Sequence, residues 1–160
     1  MNLWVYAMRG KDKEITDRKM IDSIIKESKV CRLALSEDDR PYIVPLSFGY
    51  DGTALYFHGA LEGKKIDILR KNSNVCFEFD NDGEPIQSDK GCDWSVRYKS
   101  VIGYGKARLL EDMDSKLRAL DIIMKRYSGK SFAYPEKTVE KTAVIRVDIE
   151  TVTGKMSGYK

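Results

Sequence analysis

Apolar positions along the chain change period several times, and each change marks an element. Met20, Ile21, Ile24 and Ile25 recur at helical spacing after Thr16-Asp17, either of which can cap a helix running to about Glu27. Val30–Ser36 then alternates as a strand, Asp38-Asp39 makes a turn, and a second strand is predicted over Tyr42–Tyr50. Pro45 inside it removes a ladder donor, so this strand is expected at an edge, at a bulge or against a ligand. Asp51-Gly52 reads as a hairpin turn returning through Thr53–His58. A short helix over Gly63–Arg70 buries Ile66 and Leu69, and Val75–Phe79 alternates as another strand.

Asp80–Asp93, polar and marked by Gly83, Pro85 and Gly91, reads as the longest loop. A long strand follows over Ser95–Leu110, where Gly103 and Gly105 indicate sharp coiling or close approach by another backbone. Asp112 caps a helix with a Leu117, Leu120, Ile123, Met124, Tyr127 stripe. A second loop, Lys130–Lys141, precedes a final strand over Ala143–Ile149, which Thr151-Val152-Thr153 can prolong. Six strands with short hairpins and peripheral helices predict a mainly β, single-domain chain whose sheet closes into a barrel.

Composition narrows the function. With 160 residues, 42% hydrophobic and 33% charged, the chain is sized for one core. Its 28 basic against 25 acidic residues are too balanced and dispersed for a nucleic-acid surface. No apolar stretch is long enough for a bilayer, the amino terminus does not read as a signal peptide, and Cys31, Cys76 and Cys92 lack metal spacing. A cytoplasmic protein with reduced cysteines is expected, its first 15 residues a candidate arm across a partner.

The chemistry concentrates in Tyr56-Phe57-His58-Gly59-Ala60-Leu61-Glu62-Gly63-Lys64-Lys65. A strand ends at the only histidine and passes through small residues into two lysines at a helix start. Lysine there opposes the helix dipole unless an anion compensates, and free N–H groups beside ammonium groups suit a phosphate. His58 is then the candidate to orient a substrate or exchange a proton, although a strand-end histidine can equally be a local hydrogen-bonding group. No second histidine or carboxylate set makes it a metal ligand. Arg32 is a candidate second anion contact, or simply a solvated arginine. Trp94 and Tyr98 are candidates to line a pocket for a flat substrate, or to form core or dimer contacts.

Taken in order, Cys31-Arg32-Leu33-Ala34, Pro41 through Tyr50, Leu55 through Ala60, Gly63-Lys64-Lys65, Tyr98 through Gly105 and Thr153-Gly154-Lys155 carry a resemblance. They resemble the flavin split-barrel proteins, in particular the pyridoxamine 5'-phosphate oxidase-related family that contains the nitroimidazole resistance proteins. The resemblance implies a six-stranded antiparallel Greek-key split β-barrel binding FMN at a homodimer interface. It implies that Val44, Pro45, Leu46, Ser47 and Phe48 pass beside the flavin, with His58 and Gly59 nearby. Lys64 and Lys65 would take the phosphate, and Ser100 would stand where oxidases of the family use a glutamine. The oxidases' carboxy-terminal arginine- and tryptophan-containing substrate segment has no counterpart here. The implied activity is therefore an FMN-dependent oxidoreductase that passes electrons from a reduced donor to a small flat acceptor such as a nitroimidazole or nitroaromatic. The alternative is a flavin-binding storage or sensing module without turnover.

Overall fold

The computed structural model describes residues 10–159. Residues 1–9 of the expected arm lie outside them; Lys11–Lys13 form a 3-10 turn and β1 (Glu14–Ile15) pairs with the last strand of its own chain, Ile15 opposite Gly154. Helix α1 (Arg18–Glu27) starts where the Asp17 carboxylate accepts the Lys19 N–H at 2.9 Å, and it buries Ile21, Ile24 and Ile25. Strands β2 (Cys31–Glu37) and β3 (Arg40–Leu46) form a hairpin through Asp38 and Asp39, both in the left-handed region (φ 48° and 61°) that such a turn demands.

The expected strand over Tyr42–Tyr50 divides in two. After β3 the chain leaves its ladder at Ser47-Phe48 and resumes as β4 (Gly49–Tyr50), which pairs with β5 (Ala54–Ala60) instead. Phe48 fixes the break. Its ring is fully buried, 4.8 Å from Phe79 and beneath the Arg126 guanidinium at 4.0 Å. Its N–H, lost to the ladder, donates to the Tyr127 hydroxyl at 3.0 Å, and that hydroxyl donates to the Lys29 carbonyl.

Helix α2 (Lys64–Lys71) leads to β6 (Asn74–Ile86) and β7 (Ser95–Leu109). These two pair from Asn74↔Lys106 out to Ile86↔Ser95, so the first half of the expected Asp80–Asp93 loop, Asp80–Ile86, is strand. Its polar residues suit a two-sided exposed hairpin, with Asp82 and Gly83 at positive φ forming a bulge. Helix α3 (Met113–Ser128) runs from an Asp112 cap to Gly129 at φ 70°. The expected second loop contains a short helix, α4 (Glu136–Glu140), and β8 extends over Thr142–Ser157.

The sheet has eight strands rather than six, ordered β3-β2-β6-β7-β8-β5-β4, with β1 on β8. It does not close into a barrel. Its hydrogen-bonded path ends at β3 and β4, and Pro41 and Pro45 leave the β3 edge short of donors. The mainly β architecture with helices around it stands; the closed six-stranded barrel does not. Both glycines of β7 sit where another group approaches: a methyl on Gly103 would lie 2.1 Å from the Phe77 ring, and one on Gly105 2.3 Å from the Asp148 carbonyl oxygen.

Strand β5 is buried on both faces, which explains its unbroken apolar run. Leu55 and Phe57 enter one core with Leu33, Phe77, Ile66 and Ile145, whereas Ala54 and Tyr56 enter a second beneath α3 with Ala119, Leu120, Ile123 and Val144. Cover ends at His58, which is exposed. Among the described residues, no helix is long and apolar enough to cross a membrane.

Candidate functional site

Helix α2 begins without a side-chain cap, from Gly63 at φ 120° with open space around it. Its first two residues reach toward strands that the sheet order places far apart. Lys64 lays its ammonium 4.7 Å from the centre of the Tyr42 ring on β3. Lys65 turns toward β5, where a methyl on Gly59 would meet its Nζ at 3.1 Å. The helix start therefore stands between the two arms of the open sheet.

The two ammonium groups differ in surroundings. Lys64 is exposed, whereas Lys65 is half-buried, and burial alone holds its pKa below the usual lysine range. Among the described residues no carboxylate or carbonyl pairs with Lys65. Two neighbours in the sequence are neutralised elsewhere: Lys71 pairs with Glu37 at 2.5 Å, and Arg70 with Asp67 at 3.8 Å. A positive group without an anion, on a helix end with free N–H groups, fits an anionic ester.

Of the expected flavin-lining segment, Val44 and Leu46 are half-buried against the first core, while Pro45 and Ser47 are exposed. Phe48 is committed to the interior through both ring and N–H. His58 and Gly59 adjoin the helix start on opposite faces of β5. Gly59 is on the Lys65 side, opposite Ala143; His58 lies on the α3 side, opposite Val144.

Ser100, Trp94 and Tyr98 lie on or beside β7, outside the contacts that join Lys64 to Tyr42 and Lys65 to Gly59. Ser100 pairs with Lys155 on β8, eleven positions from the Val144 partner of His58 (155 − 144). Such a separation spans up to roughly 36 Å of strand. Tyr98 lies farther out, between Asp82 and Ser157, and Trp94 ends in the adjoining loop with its indole N–H on the Ser88 carbonyl at 2.6 Å. Arg32 does not offer a second anion contact, because Glu78 and Asp80 both engage its guanidinium. Burial and the nearby Asp80 charge push Glu78 up despite that pairing.

Sequence reasoning missed Tyr42, Arg126 and Tyr127. Tyr42 reads only as an alternating strand residue, and Tyr127 as one more member of a helix stripe. Arg126 donates to the carbonyls of Lys26 and, at a short contact, Ser28, which ties α3 to the end of α1. Cavities of about 610 Å³ beside Ile86, Arg97 and Tyr159, and of about 400 Å³ beside Lys26, Tyr50 and Arg126, include neither His58 nor Lys65.

Comparison with known proteins gives this arrangement a family. A candidate 5-nitroimidazole antibiotic resistance protein from Bacteroides thetaiotaomicron VPI-5482 is 36% identical, with a TM-score of 0.82 over 89% of this chain and 86% of that one. The FAD and heme binding protein from Mycobacterium smegmatis shares the fold at 22% identity, with a TM-score of 0.83 over 92% of this chain and 74% of that one. An uncharacterized protein of Rhizobium meliloti (strain 1021) is 33% identical over 65 residues, and the match spans only 42% of that protein's length and 41% of this chain. The family model described as pyridoxamine 5'-phosphate oxidase matches residues 17–156, and the chain belongs to that family.

Proposed function

We propose that the protein is an FMN-dependent oxidoreductase whose flavin phosphate binds at the start of α2. The observation that carries this reading is the half-buried Lys65 ammonium, which has no anionic partner among the described residues and lies against Gly59 at the end of β5. Lys65 supplies a desolvated charge, Lys64 a second and more exposed one, and the first turn of α2 its uncapped N–H groups. The exposed Pro45 and Ser47 line the neighbouring β3 arm, where the Pro45 position offers a carbonyl and no competing N–H. A bound flavin supplies electron transfer from a reduced donor to a small flat acceptor, and the resemblance to a nitroimidazole resistance protein favours a nitroaromatic.

The site is proposed to be completed by a second copy of the chain. The outer sheet face carries Ile43, Ile102 and Tyr104 at 59%, 44% and 55% exposure. Cross-strand rows link Ile43 through Ala34 and Cys76 to Tyr104, and Pro45 through Arg32 and Glu78 to Ile102. This face, apolar at Ile43, Ile102 and Tyr104 and crossed by the Arg32–Glu78 ion pair, continues directly from the β3 arm, so pairing across it would shield the flavin and bring Ser100 from the other copy. His58, exposed on the α3 face, is assigned to hold or move a proton for the acceptor from that side.

Anaerobic stopped-flow absorbance tests the activity. Reduced FMN on the protein should be reoxidised by a 5-nitroimidazole, repeatedly when a reduced electron donor is supplied in excess, and His58→Asn should slow the reoxidation by about tenfold or more while FMN stays bound. Reduced flavin indifferent to every nitroaromatic would reject that acceptor class.

A further inference from the structure

Gly59 is a glycine without a backbone reason. It lies in the regular β5 ladder opposite Ala143, and it is not among the glycines at positive φ. Any L-residue can adopt such a conformation, and glycine inside a strand weakens it. Nor does a neighbouring strand or core side chain crowd the position. Within 4 Å, a methyl there would meet only Lys65, Nζ at 3.1 Å and Cε at 3.9 Å.

Lys65 therefore crowds position 59: its ammonium would have to give by a few tenths of an ångström for a methyl there, and farther for a larger side chain. Left to itself the ammonium belongs in water: it sits in the first turn of a helix, where the dipole repels it, and burial disfavours its charge. Lys64, one residue earlier, takes a different course over the Tyr42 ring.

We infer that Gly59 is a positioning residue, its bare α-carbon forming the seat that holds the Lys65 ammonium at the start of α2 to receive a phosphate ester. The inference rests on the flavin reading above and assigns Gly59 a task other than touching the cofactor. A side chain at 59 need not break the strand, because the atom it meets is the end of a flexible chain. The ammonium would yield, slightly for a methyl and farther for a branched side chain, and so leave the position in which Gly59 holds it. The two consequences separate: the fold keeps or gains stability, since alanine suits a strand better than glycine, while phosphate recognition weakens.

The experiment compares wild type, Gly59→Ala and Gly59→Val. Flavin fluorescence titration gives the affinity for FMN and for riboflavin, which lacks the phosphate. Thermal unfolding gives stability. NMR of lysine labelled at Cε follows the Lys65 titration without ligand. FMN affinity should fall about threefold to tenfold in Gly59→Ala, equivalent to roughly 0.7–1.4 kcal/mol, and further in Gly59→Val. Riboflavin affinity and melting temperature should not fall, and the Lys65 titration should move up toward the ordinary lysine range. Unchanged FMN preference over riboflavin with an unmoved Lys65 titration would overturn the seat while leaving the flavin reading intact. Equal loss of both ligands would overturn it too, since Gly59 would then serve the ring. Wild-type protein that holds FMN no tighter than riboflavin would sink the phosphate reading itself, and the inference with it.

Discussion

Replacing Gly103 by alanine is expected to strain the interior on which the candidate site rests. The added methyl would lie 2.1 Å from Phe77 Cζ, 2.5 Å from Cε2 and 2.8 Å from the Thr151 carbonyl oxygen. Neither obstacle moves easily. The carbonyl belongs to β8, and the fully buried Phe77 ring stands 6.0 Å from Phe79, which in turn packs 4.8 Å from Phe48. Overpacking costs about 1–3 kcal/mol, and with both a buried ring and a backbone carbonyl in the way the upper part of that range, about 2–3 kcal/mol, applies. Restricting the unfolded chain returns about 0.4–1 kcal/mol. The net loss should be about 1–2.5 kcal/mol, which in a chain of this size lowers the melting temperature by roughly 2–10 °C. Urea unfolding of Gly103→Ala, Phe77→Leu and the double variant measures it. The double variant should be more stable than the two separate losses predict, because the smaller side chain makes room for the methyl. A Gly103→Ala protein as stable as wild type, or strictly additive losses, would refute the packing argument.

Changing Lys64 and Lys65 together to methionine should cost FMN binding about 2–4 kcal/mol through two lost charge-assisted contacts, with riboflavin binding unaffected in the same titration. The depressed Lys65 pKa fixes a pH dependence. Between that value and the ordinary lysine value, the unfolded chain holds a proton that the folded one has released, so ligand-free stability gains from this group as pH rises through the window. FMN requires the charged form; its affinity should fall, and proton uptake on binding should appear by calorimetry, over the same window. Lys65→Met should abolish both trends. Tyr127→Phe removes the hydroxyl that accepts the Phe48 N–H, and should lower stability by about 1–2 kcal/mol in urea unfolding, since a partly buried donor is left without its partner.

What could be read from the sequence depended on how local its causes are. Helices α1 and α3 announce themselves by capping aspartates and apolar stripes, and Pro45 lies on an edge strand as its missing donor requires. Gly103 and Gly105 marked close approaches, which Phe77 and Asp148 supply. The Ser47-Phe48 break had no local signal, because the partner of the Phe48 N–H is Tyr127, 79 positions away. The Asp80–Ile86 segment looked like a loop because polarity on both faces is as compatible with an exposed hairpin as with no strand at all. Closure was misjudged for a related reason: strand number and alternation do not determine whether the two outermost strands meet.

At the site, Lys65 lies against Gly59 on β5 whereas Lys64, one residue earlier, turns to the Tyr42 ring on β3, a divergence that residue type and spacing did not indicate. Alternation along β5 turns His58 to the other face. Tyr98 and Trp94 lie toward the tip of the β6–β7 hairpin, whereas Ser100 pairs with Asp80 at its base, two residues from the Ile102 that shares a cross-strand row with Pro45. Arg32 failed as an anion contact because Glu78 and Asp80, both far away in the sequence, take up its charge.

The most direct measurement is the phosphorus NMR spectrum of FMN titrated with the protein. Binding at the start of α2 predicts a phosphate resonance shifted and broadened in proportion to bound flavin, restored toward its free position in Lys65→Met. Quenched flavin fluorescence with a phosphate resonance unchanged from free FMN would contradict the account, since the ring would then be held while its ester remained in solvent.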